Sequence, residues 1–111
     1  MGDSGLTIHT IEGYASQALS CTEHMYLLAE QQDWDGLGQL EMERSQLLDA
    51  LFNHPSLPSL LAKIADTLRR IIEMDQKTMA LGKQARQTLK REMELLNQGK
   101  RAVDAYLGNI A

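Results

Sequence analysis

The side chains that most often hold metals or catalyse reactions do not form a complete site in this sequence. Its three histidines, His9, His24 and His54, include no pair at the i, i+4 spacing that places two ligands on one helix face. Cys21 and His24 have the spacing of half a zinc site, but no second half follows. A di-iron bundle needs Glu-x-x-His on two helices, and neither His24 nor His54 has a glutamate three residues earlier. We therefore expect no metal ion and no cofactor.

The glycine-rich and acidic motifs of enzymes are also incomplete. Gly36 and Gly38 are followed by Glu41, where a dinucleotide-binding fingerprint requires its third glycine. The acidic cluster at Asp33 and Asp35 lacks the later ligands of a calcium loop, and the sequence contains no nucleophile elbow or kinase motif. The sequence therefore predicts a protein that is not an enzyme.

The composition is typical of an all-α protein. The 111 residues include 18 leucines, 11 alanines and 6 methionines, against one valine and five aromatic residues. Unbranched side chains lose little rotamer freedom in a helix, whereas strands favour β-branched and aromatic ones. The longest apolar run, residues 25–29, is far shorter than the ~20 residues that cross a bilayer, and we find no secretion signal. We expect a single cytoplasmic helical domain over 1–111, with no membrane partner.

Charge is distributed unevenly along the chain. Residues 1–50 carry nine acidic side chains and one basic one, a net charge of −8, whereas residues 51–111 carry six acidic and ten basic ones, a net charge of +4. Either the two halves attract each other across solvated faces, or the basic half leaves a surface for an acidic partner. Because the basic residues are not interleaved with aromatic ones, we expect no direct nucleic-acid binding.

Apolar spacing and helix-breaking residues predict an antiparallel bundle of three main helices plus a short C-terminal helical segment. We expect these elements at about residues 7–31, 34–52, 58–97 and 100–111. Asp33 is a good N-cap, Pro55 forbids continuation of the second helix, and Gly99 is a natural residue to end the third. The predicted apolar stripe of the first helix has the a/d heptad spacing of helices that pack lengthwise. It consists of Ile11, Tyr14, Ala18, Cys21, Met25 and Leu28.

Four residues are predicted to have structural roles: Trp34, Glu41, Arg44 and Asp75. The spacing assigns Arg44 to the core, where an unpaired guanidinium is strongly unfavourable. Glu41 lies one turn before it, and Glu23 or Asp75 can reach it from a neighbouring helix. We therefore expect an ion pair between Arg44 and one of these carboxylates. Trp34 lies at a turn and is expected to close the end of the hairpin formed by the first two helices.

The third helix is predicted to be about twice as long as the other two. At ~1.5 Å per residue, its roughly forty residues form a rod of about 60 Å, and neither other helix reaches it beyond about Met79. Apolar residues nevertheless continue along one face, and an uncovered apolar stripe indicates a partner surface. The predicted partner-binding residues are Gly82, Ala85, Arg86, Leu89, Met93 and Leu96. The candidate occupants are a second copy of the chain, its own C-terminus, or a client protein.

The C-terminal segment, residues 100–111, has an apolar side of its own. This side consists of Ala102, Val103, Tyr106 and Leu107. Because the segment is no longer than the ~12–15 residues at which isolated helices become marginal, we expect it to be ordered only if it docks. Docked on the exposed stripe of the third helix, it would be a movable, regulatory cover.

Four parts of the sequence together resemble the bacterial flagellar protein FliT family. They are A-E-Q-Q-D-W-D-G-L at 29–37, L-E-x-E-R-x-x-L-L-x-x-L-F at 40–52, I-x-x-x-D at 71–75 and G-K-R-A-x-x-A-Y at 99–106. The order of helices and breaks matches over nearly the whole chain. The Asp-Trp-Asp turn and the Glu-x-Glu-Arg pattern are the more specific features.

This resemblance implies a small cytosolic chaperone for flagellar type III export. The chain would bind the filament-capping protein through that client's C-terminal helical region. The resemblance also implies contacts with components of the export ATPase complex and, in some members, with a flagellar transcription regulator. It further implies that the C-terminal segment masks the binding surface of the preceding helix. The alternative is a helical adaptor or structural homodimer with no export role.

Overall fold

A computed structural model describes the backbone of residues 10–110 and the side chains of residues 10–108. Three helices follow one another, α1 (Ile11–Glu30), α2 (Trp34–Phe52) and α3 (Leu57–Ile110), and the described residues contain no strand. The predicted all-α fold is confirmed, and α2 has the predicted bounds. The first helix begins at Ile11, and positions 7–9 of its predicted range lie outside the described residues.

The turn between α1 and α2 is a Schellman motif with a glutamine where glycine is usual. Gln32 has a φ of 60°, in the left-handed region. Its N–H donates to Ala29 O at 3.1 Å, and the N–H of Asp33 donates to Leu28 O at 2.9 Å, so two terminal carbonyls of α1 are satisfied. Asp33 Oδ1 then accepts from Gly36 N at 3.0 Å and caps α2, as its residue type predicted.

Replacing Gln32 with glycine is expected to stabilise the protein by up to about 1 kcal/mol. The left-handed conformation costs a residue with a Cβ about 1–2 kcal/mol, and glycine avoids this cost. Part of the gain is lost because glycine gives up more backbone entropy on folding. The free energy of unfolding, measured in urea by circular dichroism, checks this. Gln31→Gly is the control, because Gln31, the residue before Gln32, has a φ of −83° and gains nothing from replacement by glycine. A lower stability for Gln32→Gly would contradict the left-handed turn.

Residues of all three helices meet in one core. Ile11 and Ala15 of α1, Leu51 of α2 and Ile64 of α3 are each at least 98% buried. Five half-buried side chains pack around them: Tyr14, Leu48, Leu57, Leu60 and Leu68. The helices within residues 11–68 therefore form a three-helix arrangement around an aliphatic centre.

The buried face of α1 agrees with the predicted stripe at three of its six positions, and at the other three it is shifted by one residue. Apart from Gly13, the buried residues of α1 are Ile11, Ala15, Ala18, Thr22, Met25 and Ala29. Tyr14, Cys21 and Leu28, which we predicted in the stripe, are half-buried beside it. Small residues thus line the centre of the face, which lets helices approach closely, while the larger side chains cover its edge.

The contacts divide the chain into two compact units, Met1–Leu81 and Gly82–Ala111. Within the second unit the predicted break at Gln98-Gly99 is wrong, because α3 continues as one helix to Ile110. Gly99 does not have a positive φ, and a single glycine costs a helix only about 1 kcal/mol. Strong helix formers on both sides outweigh that cost. The prediction of a single domain over 1–111 stays a prediction.

Candidate functional site

The second unit carries an apolar stripe that the structure leaves largely uncovered. All six predicted partner-binding residues lie on its helix: Gly82, Ala85, Arg86, Leu89, Met93 and Leu96. Leu89, Met93 and Leu96 expose 57%, 56% and 74% of their surface, whereas the two small residues before them are half-buried. Large apolar side chains exposed at spacings of four and three residues are typical of a helix face that packs on another helix.

Val103 and Leu107 lengthen this stripe. Val103 follows Leu96 by seven residues and Leu107 follows Leu89 by eighteen, which are about two and five turns of a helix. Both are more than half exposed, and the helix between them and Leu96 is unbroken. In this conformation Val103 and Leu107, two of the four residues predicted as a cover, therefore continue the stripe along the helix, instead of lying on top of it.

A second apolar edge, of which the sequence predicted Ala102 and Tyr106 but not Leu95, lies beside the stripe. Leu95, Ala102 and Tyr106 lie about 100–140° around the helix from Leu89, and all three are exposed. Leu95 falls outside the heptad spacing, so the predicted stripe does not include it. The signal available in the sequence was its position next to Leu96, which widens the apolar face at that turn.

A polar network in the first unit joins one residue from each helix. Arg44 Nη1 donates to Asp75 Oδ1 at 2.6 Å and to Thr22 Oγ1 at 3.0 Å. The Thr22 hydroxyl in turn donates to Ala18 O at 2.7 Å. The side chains of Arg44 and Asp75 are 13% and 33% exposed, so this ion pair is mostly shielded from water. Of the carboxylates considered for Arg44, Asp75 is the one in contact.

A family model described as Flagellar protein FliT matches residues 14–109, which is most of the chain. The chain belongs to the FliT family. The match includes the Arg44–Asp75 ion pair and the whole exposed stripe, so both are features of the FliT-like part. Comparison with curated proteins and with solved structures gave no match. Membership of the FliT family indicates a flagellar protein.

Two other predicted structural residues of this FliT-family chain lie nearer the surface. Trp34 is the first residue of α2 and leaves 38% of its surface exposed, so its ring is only partly covered. Glu41 is exposed and forms no ion pair within residues 10–110. The role of Trp34 in closing the hairpin stays a prediction.

Metal-ligand clusters and membrane-spanning helices are the features of other function classes that matter next for this FliT-family chain. Within residues 10–110, no group of three or more His, Cys, Asp and Glu side chains could hold a metal ion. None of the described helices is both long enough and apolar enough to cross a membrane.

A shallow pocket between α1 and α2 contains the only cysteine of the sequence. The lining residues are Gln17, Ser20, Cys21, Glu43, Gln46 and Leu47. Burial raises the pKa of the Cys21 thiol, the Glu43 carboxylate raises it further, and the Arg44 guanidinium acts in the opposite direction. The thiolate, which is the reactive form, is therefore disfavoured. This pocket has no second feature that would indicate a ligand.

Glu43→Gln is expected to speed the alkylation of Cys21 at pH 8 by up to about fivefold. Removing the carboxylate lowers the pKa of the thiol, so a larger fraction of Cys21 is thiolate at that pH. A fivefold change corresponds to about 1 kcal/mol, which is the upper end of the range for exposed charge interactions. The rate of reaction with iodoacetamide, followed by mass spectrometry, measures the effect. Glu12→Gln changes the net charge equally but should leave the rate unchanged. An unaltered rate in Glu43→Gln would show that the Glu43 carboxylate does not contribute to the pKa of the thiol.

Proposed function

We propose that this FliT-family chain is a cytoplasmic chaperone for flagellar type III export. Its client is the filament-capping protein, bound through the C-terminal helical region of that client and handed on to the export machinery. The observation that carries the proposal is the exposed apolar stripe, whose side chains from Leu89 to Leu107 have no cover in the second unit. Membership of a flagellar family and an exposed apolar surface as long as a helix both support a protein that binds a helix of another flagellar protein.

The stripe has the size and composition for reversible binding. Burying about 500 Å² of apolar surface contributes roughly 10 kcal/mol before the ordering of two partners is subtracted. Gly82 and Ala85 permit close approach of a client backbone, and the unbranched side chain of Met93 adapts to different client shapes. Components of the export ATPase complex and a flagellar transcription regulator are further proposed partners.

Co-purification with the filament-capping protein of the same organism tests this function. We expect a stable complex with the full chain, and chemical-shift changes or protection confined to residues 82–108. Failure to recover the complex from a folded helical chain would contradict the proposed function. The alternative is a homodimer formed by the stripes of two copies, and sedimentation of the chain without a client distinguishes the two.

We further propose that residues 100–111 mask the stripe by breaking the helix at Gly99. Masking needs such a second conformation, because in the unbroken helix Val103 and Leu107 lie in line with the stripe. A Cβ at Gly99 would meet nothing within 4 Å, so alanine fits there without strain.

Gly99→Ala is therefore expected to raise client affinity by up to about fivefold, since alanine favours the unbroken helix by about 1 kcal/mol. A titration of labelled client measures it. Gly108→Ala is the matched control, because a Cβ there also meets open space but lies beyond the break. Unchanged affinity in Gly99→Ala would rule out masking through this glycine and leave Val103 and Leu107 as an extension of the binding surface.

A further inference from the structure

The beginning of the stripe has a basic border on one side only. At about 100° per residue, Arg86, Lys90 and Lys83 lie about 60–120° around the helix from Leu89, all in the same direction. All three side chains are exposed. Residues 82–91 contain four basic side chains, the fourth being Arg91, and no acidic one. On the opposite side the same stretch presents Ala85 and Thr88, which carry no charge.

These three cations have no carboxylate partner in the described chain. The ion pairs within residues 10–110 are Arg44–Asp75 and Arg69–Asp66. Gly82 and Ala85 lie beside the cations on the stripe, and their small size lets a partner backbone approach closely enough for flexible lysine and arginine side chains to reach its edge. The border is thus available for charges that a docked helix brings.

We infer that the helix that docks on this stripe is amphipathic and carries acidic residues along the edge that meets Lys83, Arg86 and Lys90. This inference rests on the proposed function, since it specifies the chemistry of the partner at the same surface. Complementary charge on one edge would also fix the direction in which the partner helix lies, because reversing it removes the acidic edge from these cations.

A second copy of the stripe fits this surface poorly. Residues 82–111 carry six basic and three acidic side chains, so pairing two copies sets a net charge of +3 against +3. Within each copy the acidic side chains Glu92, Glu94 and Asp104 are outnumbered two to one by basic ones, so no alignment of two copies neutralises the cations on both. An anionic membrane is also disfavoured, because Glu92 and Glu94 interrupt the basic stretch next to the apolar face. A partner protein with an acidic edge satisfies the cations in full.

Three designed peptides test the inference against the full chain. Each is a labelled helix of about 24 residues with the same leucine stripe, and the flanking edge carries glutamate, glutamine or lysine. We expect the glutamate peptide to bind about tenfold more tightly than the glutamine peptide at low salt, as three exposed charge pairs allow, and the lysine peptide to bind most weakly. The difference should shrink in 0.5 M salt because exposed charges are screened. Equal affinities for the three peptides would overturn the inference.

Charge reversal on the chain gives the complementary test. Lys83→Glu, Arg86→Glu and Lys90→Glu together should invert the order of the three peptides. The matched control, Lys63→Glu, Arg70→Glu and Lys77→Glu, changes the net charge equally at exposed positions of the first unit and should preserve the order. Binding to vesicles with 30% phosphatidylserine in preference to every peptide would overturn the inference in favour of a membrane.

The outcomes also separate this inference from the proposed function. If the filament-capping protein binds but charge reversal leaves its affinity unchanged, the inference of an acidic edge is wrong and the proposed function stands. If the glutamate peptide is preferred but the filament-capping protein does not bind, the function is wrong and the chemistry of the surface stands.

Discussion

Changing Leu89 and Met93 together to aspartate is expected to lower client affinity more than 100-fold without unfolding the protein. Each buried side chain of this size contributes about 1.5–3 kcal/mol to an apolar interface, and a carboxylate that a docked helix would bury adds a further penalty. Both positions are more than half exposed in the chain alone, so the substitutions remove no core packing. Binding is measured by titration, and folding by circular dichroism.

The matched control is Ile72→Asp with Met79→Asp. These side chains lie on the same helix, are 57% and 70% exposed and belong to the first unit, so client affinity should stay unchanged. Sedimentation of the Leu89 and Met93 variant distinguishes the alternative function. A change from dimer to monomer would favour the homodimer, whereas a constant mass with loss of the client supports the chaperone. Client binding that survives both aspartates would contradict the proposed site.

Asp75→Ala is expected to lower the free energy of unfolding by about 2–4 kcal/mol. Removing one partner of a buried ion pair costs about 3–5 kcal/mol, because the remaining charge stays away from water. The value should be smaller here since Asp75 is one-third exposed. Arg44 would keep only the hydroxyl of Thr22 as a neutral partner. Urea unfolding followed by circular dichroism measures the loss.

Two variants show whether that loss comes from the shielded charge. Asp66→Ala breaks the pair with Arg69, whose side chains are 92% and 69% exposed, and should change stability by less than about 1 kcal/mol. Arg44→Met combined with Asp75→Leu removes both charges, and should be closer in stability to the original chain than Asp75→Ala is. A double variant as unstable as Asp75→Ala would indicate that the geometry of the network, and not the stranded charge, matters.

Features set by a few neighbouring residues could be predicted from the sequence. The start of α2 follows from the capping side chain of Asp33, and its end from Pro55, which cannot continue the ladder of hydrogen bonds. The need of Arg44 for a carboxylate follows from the energy of a buried charge alone. The choice of Asp75 over Glu41 required the structure, because it depends on the register between two helices.

Features that depend on competition between small free-energy contributions, such as helix propensity and side-chain packing, were harder to predict. In α1 the stripes through Tyr14 and through Ala15 have nearly the same spacing, and packing against the other helices decides which is buried. The break at Gly99 failed because its cost is small beside the summed propensity of its neighbours. The predicted stripe residues up to Leu96 lie on one helix, as expected, and their role in binding stays a prediction. The extension of the stripe by Val103 and its widening by Leu95 depend on the helix being unbroken.

The exposed stripe also affects how long the backbone hydrogen bonds of α3 survive. In the first unit, opening the helix near Ile64 exposes a packed core, so the free energy of opening approaches that of global unfolding. Around Leu96 no core is disturbed, and the helix there lacks the tertiary packing from which most helical stability in proteins comes. Amide protons there should exchange with solvent far sooner than those near Ile64. A docked client would thus slow the opening of the helix to which it binds. Part of the binding free energy would therefore be used to keep that helix folded.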